Sequence, residues 1–554
     1  MVHIVEDSYT DICTLMSVAG ESLRLELQRG VKQGDPLSPL LFNAVFEPLL
    51  LELESQPGYS INDDVSVSCL AFADDLLITA GSVPQARILL RKVEQYLSRL
   101  GMTLSAPKSA CFHIKPTKES WFLTDPGLEM ANGEGIPMAN AGTCLSYLGA
   151  KMSPWAGIDI TELKESLTSV WRRVMRQKLK PHQKVELITR FLIPHYLYQL
   201  VLAGPSTLTL RQLDQDLRVV IKQIYHLPQA TANGLLYCGK RDGGLGIPRF
   251  EVLVTSAALK AGIKLGANKD PVLQALSPGS GLVKRLERLA RGARITWPAT
   301  VQEVERYKHR SKKQELEQWA SLGSQGKSVK ALADDKFANA WLLDTTLLKP
   351  HRMITALKMR TNSCADRAAM SRAKLVTGDL SCRRCVTQKE TLGHILGQCI
   401  STKPDRIRRH DDICKVVMDR VIEVKGLEAA VTREPSFQVP SGGNLKPDLV
   451  IQNQGRVYVV DVTVRHEDGE YLAAGRQSKY DKYNQLLPHL CERLGATSGE
   501  VLPIVVGTRG ALPRETVNCL AVLGITDRKT KLTISMLALR SSIELYHRFM
   551  DYDH

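Results

Sequence analysis

The sequence predicts a multidomain α+β chain. Three observations carry this: the length, an alternation of β-prone runs with helical periodicity at both ends, and a basic helical stretch between them. At 554 residues, and with roughly 100 to 200 residues per domain, several packed units are expected. A composition that is 44% hydrophobic and 24% charged is that of globular domains and excludes a largely disordered chain. Lys and Arg number 73 against 58 Asp and Glu, a formal charge of +15, which favours a polyanionic partner, nucleic acid first. No stretch approaches the roughly 18 uninterrupted apolar residues of a membrane span, and MVHIVEDSYT has neither a basic leader nor a small-residue cleavage site. A soluble, non-secreted chain with no membrane partner is expected. The twelve Cys are too sparse for a disulfide scaffold, and only Cys382, Cys385 and Cys399 cluster.

From the start to residue 157, runs such as VSVSCLAF and LLITA alternate with VPQARILLRKVEQYLSRLG, an α+β pattern. Two of the β-prone runs meet at Asp74 and Asp75, where a hairpin turn is expected. Two carboxylates on a rigid bend suit Mg²⁺, which takes a few hard oxygen ligands and leaves room for water and phosphate. The alternative is an exposed turn capped by Asp-Asp. Upstream, in RGVKQGDPLSPLLFNAVFEPLLLEL, Gln33 and Gly34 form a loop, Asp35 can cap, Pro36 suits a first helical turn, and an apolar helix follows.

Residues 158–249 read as mostly helical. Within them, 171–190 carry seven Lys or Arg against one acid, a positive face. Residues 250–378 continue as basic amphipathic helices, broken at LSPGSG and SLGSQG. In residues 379–402, Cys382, Cys385, His394 and Cys399 stand in the spacing C-x2-C-x8-H-x4-C. Three thiolates and one imidazole close a tetrahedral Zn²⁺ shell and leave no position for water, so a structural site is expected over buried free thiols. Arg383 and Arg384, in the first loop, present donors suited to phosphate; a plain solvated surface is the alternative.

Residues 403–554 form a second α+β pattern. In KPDLVIQNQGRVYVVDVTV two strand-like runs flank NQG, a turn signal. A loop at 453–456 sets Gln452 opposite Val457 and, counting back, Asp448 opposite Asp461. Opposed residues share a sheet face, and two like charges there call for a cation between them. The alternative is a surface Asp448 with an Asp461 buried alone.

The ordered pair QGDPLSPLLFN and FADD resembles the palm of a reverse transcriptase of the non-LTR, LINE-type retrotransposons. GMTLSAPKS and LSYLGAKM follow in that family's order, with Ser105 where Asn is usual. The resemblance implies that Asp74 and Asp75 hold catalytic Mg²⁺ and that Gln33 and Gly34 face the incoming nucleotide and template. It also implies that Lys108 is a general acid, or else an ordinary solvated lysine, and that Tyr147 lies in the hairpin gripping the primer end. The family's third carboxylate comes from an upstream strand. Asp7 and Asp11 lack its pattern, so the chain is read as the C-terminal part of a longer polyprotein, and the chain by itself is expected to synthesise little or no DNA.

The KPD and VVD carboxylates resemble the PD-(D/E)xK nuclease fold, in which two acids bind Mg²⁺ and a lysine serves the attacking water. Thr463 stands where that lysine is usual, and SKYDKYNQLL offers Lys479, favoured by spacing, with Lys482 and Tyr483. Together with Arg409, His410 and Asp411 ahead of an apolar helix, this resembles the restriction-like endonuclease of a retrotransposon class that inserts into arthropod large-subunit ribosomal RNA genes. The implied architecture is an incomplete reverse-transcriptase palm (1–157), helical thumb (158–249), helical linker (250–378), zinc knuckle (379–402) and restriction-like nuclease (403–554). The implied partners are element RNA, target double-stranded DNA and deoxynucleoside triphosphates, with Arg409, His410 and Tyr483 toward nucleic acid. A nuclear site of action after cytoplasmic synthesis is implied as well. A non-catalytic nucleic-acid-binding protein derived from such an element is the alternative, and an intron-encoded maturase is disfavoured by the lack of a His-rich nuclease motif.

Overall fold

The computed structural model describes residues 2–551 apart from 11–12, 19, 27–29, 33, 156, 159, 280, 427–429 and 440–442. It is a mixed α+β molecule that forms two compact units: residues 1–161 with 261–288, and residues 162–260 with 289–554.

In the first unit, helices Ser38–Glu54 and Val83–Arg99 pack through Phe46, Leu49 and Leu53 against Leu89, Val93 and Leu97, with Cys69 in the same core. Those positions recur every three or four residues, which puts them on one helical face. The Ser82 hydroxyl accepts the Gln85 N–H and opens the second helix, as an N-cap should. An ion pair between Lys92 and Glu52, 2.7 Å apart, bridges the two helices. The first helix starts later than Pro36. Gly34 takes φ +94°, and the Asp35 carboxylate accepts the Leu37 N–H at 2.9 Å, so the loop closes as an Asx turn before Ser38 and Pro39 begin the helix.

The helical part of the second unit begins with Ile160–Arg176, whose buried stripe is Leu163, Leu167, Trp171 and Val174. A π-helical turn, Ile188–Leu192, precedes Ile193–Ala203, and Thr207–Ile224 follows. Buried Asp214 accepts the N–H groups of Phe250 and Glu251, capping helix Phe250–Gly266; burial pushes its pKa up to about 6.

Four strands form the large sheet of this unit, in the order Ala430–Arg433, Leu449–Asn453, Arg456–Arg465, Ser498–Gly507. The first two pairings are antiparallel and the last is parallel. Tyr458, Val460 and Val462 face helices Lys403–Lys425 and Arg528–Asp551, while Val457 and Val459 face Tyr471–Asn484 and Leu487–Arg493. Burial on both faces explains why VYVV and IVV read as unbroken apolar runs. Among the described residues, no helix is long and apolar enough to cross a membrane.

At the end of the last strand a Cβ on Gly507 would lie 2.0 Å from Glu467 Oε1 and 2.7 Å from Ala511 Cβ. Glu467 is fully buried and accepts the Arg509 N–H and the Thr508 hydroxyl, so it has nowhere to go. Gly507→Ala is therefore expected to lower stability by about 1–3 kcal/mol, the usual cost of overpacking. Gly397→Ala, whose new methyl meets nothing within 4 Å, should leave it unchanged. Thermal unfolding of the two variants checks the pair.

Candidate functional site

The hairpin joining Leu449–Asn453 to Arg456–Arg465 turns through Gln454 (φ 48°) and Gly455 (φ 70°). Two consecutive left-handed residues are the conformation that a two-residue loop needs to match strand twist. The register pairs Gln452 with Val457 and Leu449 with Val460, so Asp448, one step beyond, comes to Asp461. The Asp448 Oδ2 accepts the Val462 N–H at 2.7 Å.

Asp461 is only 2% exposed, and Lys479 Nζ lies 2.7 Å from its Oδ1. Burial raises the Asp461 pKa, and the charge of Asp448 raises it further, while Lys479 opposes both. Of the two candidate lysines, Lys479 is the one against the carboxylate. Lys482 turns to Tyr483 instead, 3.1 Å from its hydroxyl and 4.7 Å from its ring centre. Tyr483 is buried, donates its O–H to Lys446 O at 2.9 Å, and has its pKa pushed up by burial and then by Asp461. It shares this centre but does not face solvent as a nucleic-acid contact would.

His410 completes the group from below the sheet. Its Nε2 lies 3.1 Å from both Asp448 Oδ2 and Val462 O, and its Nδ1 lies 3.1 Å from Asp411 Oδ1. The hydrogen bond to Asp448 is the main cause that raises its pKa to about 11, with the Cys414 thiol next, so it is an imidazolium at neutral pH. His410, Cys414 and Asp448 place one ligand atom each within 4.8 Å of the others. Cys414 is the residue that the sequence reading missed; its i+4 spacing from His410 on a helix was the available signal.

Arg409 lies elsewhere than the sequence predicts. Arg409, His410 and Asp411 do not precede the helix but lie inside Lys403–Lys425. Arg409 is 2% exposed and donates to Leu396 O at 2.9 Å and Ser542 Oγ at 2.8 Å. Its one-residue offset from His410 points it at the protein interior, where it fastens elements together rather than facing solvent as a nucleic-acid contact would. Arg383 and Arg384 are likewise drawn inward. Arg383 forms a bidentate pair with the fully buried Glu390, at 2.9 Å and 2.8 Å, and Arg384 donates to Phe549 O at 3.1 Å while lying over that ring.

Cys382, Cys385, His394 and Cys399 converge, with all four ligand atoms within 4.8 Å of one another. Cys382 Sγ is 3.8 Å from Cys399 Sγ, and Cys385 Sγ is 3.3 Å from His394 Nε2. Tetrahedral zinc with its usual bond lengths would separate such ligands by roughly 3.5–3.8 Å. The donor set therefore fits that ion. Helix Leu392–Gly397, capped by Thr391, delivers His394, and Gln388 Oε1 lies 2.9 Å from its Nδ1, leaving Nε2 toward the thiols. The Cys385 pKa is lowered to about 6, chiefly by a hydrogen bond with Thr387, whereas burial raises that of Cys382 to about 11.

In the first unit, strands Cys69–Phe72 and Asp75–Ile78 pair as a hairpin with Phe72 opposite Asp75. The turn is Ala73-Asp74, with Ala73 at φ 53°, so Asp75 begins the return strand rather than sharing the bend. Both carboxylates are exposed, and this sheet has two strands only among the described residues. The groups of three or more metal-ligating side chains found among the described residues lie elsewhere. Gln33 lies outside the described residues. Lys108 is exposed at the end of the short 3-10 helix Ala106–Lys108, and Asp7 is exposed on helix Val2–Tyr9. Tyr147 ends strand Leu145–Tyr147, which returns through Leu148 (φ 48°) and Gly149 (φ 75°) to Ala150–Ser153.

Residues 4–152 match the family model described as reverse transcriptase (RNA-dependent DNA polymerase). The chain is 29% identical over 537 residues to the Retrovirus-related Pol polyprotein from type-1 retrotransposable element R2 of Popillia japonica, covering 94% of this chain and 71% of that protein. It is 26% identical to the corresponding polyprotein from type-2 retrotransposable element R2DM of Drosophila melanogaster, over 94% of this chain and 48% of the relative. A type-1 element R2 polyprotein of Nasonia vitripennis is 28% identical over 79% of this chain and 40% of its own length. The chain thus spans less than half of these last two relatives.

The His410–Asp448 contact has a defined pH signature in the metal-free chain. A folded-state pKa raised to about 11 from an unfolded value of about 6.5 contributes stability that is complete below the lower value and is lost as pH rises through the higher one. The destabilisation caused by His410→Ala should therefore be greatest near pH 6 and shrink steadily toward pH 11. Denaturant unfolding of both proteins across that range is the check, and a difference independent of pH would refute the assignment.

Proposed function

We propose that this chain, a homologue of R2 retrotransposon Pol polyproteins over nearly its whole length with a reverse-transcriptase domain at residues 4–152, joins an RNA-directed DNA polymerase to a DNA endonuclease. The two activities work in sequence as target-primed reverse transcription. The endonuclease nicks one strand of a ribosomal RNA gene and leaves a 3′ hydroxyl, and the polymerase extends that end along the element's RNA with deoxynucleoside triphosphates. A chromosomal target implies action in the nucleus.

One observation carries the endonuclease assignment: Asp448 and Asp461 brought together at an antiparallel hairpin with Lys479 at 2.7 Å. A mixed sheet covered on both faces, with a lysine supplied from helix Tyr471–Asn484 in place of Thr463, supports reading this as a PD-(D/E)xK nuclease. Asp461 is met by Lys479, and burial, with the charge of Asp448 beside it, raises its pKa, so a hard cation between the two carboxylates would relieve their repulsion. Magnesium bound there supplies a Lewis acid for the phosphate and a more acidic water. Asp448 and Asp461 hold it, the Asp448 side being shared with the His410 imidazolium. Lys479 orients the attacking water and offsets the charge of Asp461. Asp74 and Asp75 do the corresponding work in the polymerase, with Lys108 toward the leaving group and Tyr147 toward the primer. Cys382, Cys385, His394 and Cys399 hold zinc, which stabilises the segment that ties helix Leu392–Gly397 to the nuclease.

Three single variants test the two activities. Asp461→Ala should abolish nicking of supercoiled ribosomal DNA in a chain that still folds, and Lys479→Ala should slow nicking by about 10²–10⁴-fold. Asp75→Ala should spare nicking and remove what little extension the chain shows. Wild-type nicking by Asp461→Ala would sink the nuclease reading and favour a non-catalytic nucleic-acid-binding protein.

Elemental analysis of protein purified without added metal should find one zinc per chain. Gln388→Ala should weaken its binding by about 10–100-fold, since an outer partner orients the histidine. Folded, nicking-competent protein free of zinc would reject the site.

A further inference from the structure

We propose that His410, Cys414 and Asp448 form a further zinc site, adjoining the cleavage centre, and that Zn²⁺ bound there antagonises the catalytic magnesium. His410 and Cys414 stand one turn apart on helix Lys403–Lys425, so they share a face. Asp448 reaches the same point from the residue ahead of strand Leu449–Asn453. One ligand atom of each lies within 4.8 Å of the others. Asp448 Oδ2 is 3.1 Å and Cys414 Sγ is 3.7 Å from His410 Nε2, and such ligands stand roughly 3.3–3.6 Å apart about a tetrahedral zinc ion. The other ring nitrogen is already held, with Nδ1 3.1 Å from Asp411 Oδ1. A carboxylate on the far nitrogen is what fixes the tautomer and orientation of a zinc-bound imidazole.

The donors select the ion. Magnesium demands hard oxygen ligands in an octahedron, and a thiol offers it little. One thiolate, one imidazole and one carboxylate suit zinc and leave a fourth position for water. Cys414 is buried in the core between its helix and the sheet, whereas His410 and Asp448 are part-exposed, so an ion can enter from their side. Without metal, Nε2 faces both Asp448 Oδ2 and Val462 O at 3.1 Å. On binding, the protons of Nε2 and of the thiol pass to solvent and the ion takes their place. Asp448 belongs to this set and to the Asp448–Asp461 pair. A zinc ion on it draws carboxylate charge away from that pair and sets a second dication beside the magnesium, which like-charge repulsion disfavours. The antagonism rests on the nuclease reading; the zinc site does not.

The test uses the full chain as purified, with Co²⁺ as the probe, because a thiolate on cobalt gives a charge-transfer absorption. Cobalt should bind one further equivalent per chain with that absorption, and added zinc should displace it. Cys414→Ala should abolish the absorption and raise the cobalt Kd by more than about a hundredfold, since a ligand lost costs more than an outer partner lost. Asp411→Ala, at a half-exposed position, should raise it by about 10–100-fold. No further equivalent overturns the site. So does an absorption that survives Cys414→Ala, which would mark exchange at Cys382, Cys385 and Cys399. If Cys414→Ala fails to fold, Asp411→Ala decides, and an unchanged Kd rejects the site. Nicking in magnesium is then followed against zinc concentration. Half-inhibition should need about tenfold more zinc, or above, in both variants than in the wild type; equal sensitivity overturns the antagonism. A cobalt site in a chain that does not nick in magnesium alone rejects the nuclease reading and keeps the site, and nicking without a cobalt site does the reverse.

Discussion

Strand Arg456–Arg465 is covered by helices on both faces, so its backbone must satisfy every hydrogen bond through its neighbours, Leu449–Asn453 on one side and Ser498–Gly507 on the other. That demand sets the register, and the register decides where each side chain points. Alternate residues fill the two apolar cores, and Asp461 falls on the face toward helix Tyr471–Asn484. A carboxylate there is costly unless a cation meets it. Gly475, Lys479 and Tyr483 recur every four residues on that helix and face the sheet. A Cβ at Gly475 would come within 3.1 Å of Arg465 Cγ, so the bare backbone lets the helix lie close enough for Lys479 to reach Asp461.

Several arginines of the larger unit act as internal fasteners. Arg409 links Leu396 O to Ser542; Arg360 donates to Asn339 Oδ1 and Ala338 O; Arg509 donates to Asn362 Oδ1 and His466 Nε2. Each joins elements far apart in the chain. Taking a guanidinium out of water is expensive, and breaking such a set by deleting one partner costs about 3–5 kcal/mol where a charge is left unpaired. Desolvation by burial holds the Arg409 and Arg360 pKa values down to about 10, the trace of that expense. The net charge of +15 therefore overstates what is available to a polyanion, and the exposed, unpaired cations are the informative ones.

The first unit shows how far a local turn can go by itself. Ala73 at φ 53° lies in a backbone region uncommon for residues other than glycine. The cost is borne because the flanking strands are locked by Leu76 and Ile78 against the core of helices Ser38–Glu54 and Val83–Arg99. This places two carboxylates at a hairpin end, in a match to the reverse-transcriptase model that runs through the hairpin. Two exposed carboxylates make a partial metal shell, and local geometry cannot supply ligands from other strands.

Short-range features were determined by the sequence. The Gln454-Gly455 turn, the pairing of Gln452 with Val457, the approach of Asp448 to Asp461, and the convergence of Cys382, Cys385, His394 and Cys399 all follow from spacing and turn chemistry over fewer than twenty residues. Periodicity alone also marked the helices on either side of FADD. Long-range choices belonged to the tertiary structure: that Lys479 rather than Lys482 meets Asp461, that His410 faces Asp448 while Arg409 turns inward, and that Arg383 is taken by Glu390. Neighbouring residues on a helix point about 100° apart, so composition cannot say which of two adjacent cations faces solvent. Only the packing of the helix against its partners fixes that rotation, and with it which charges remain free to act.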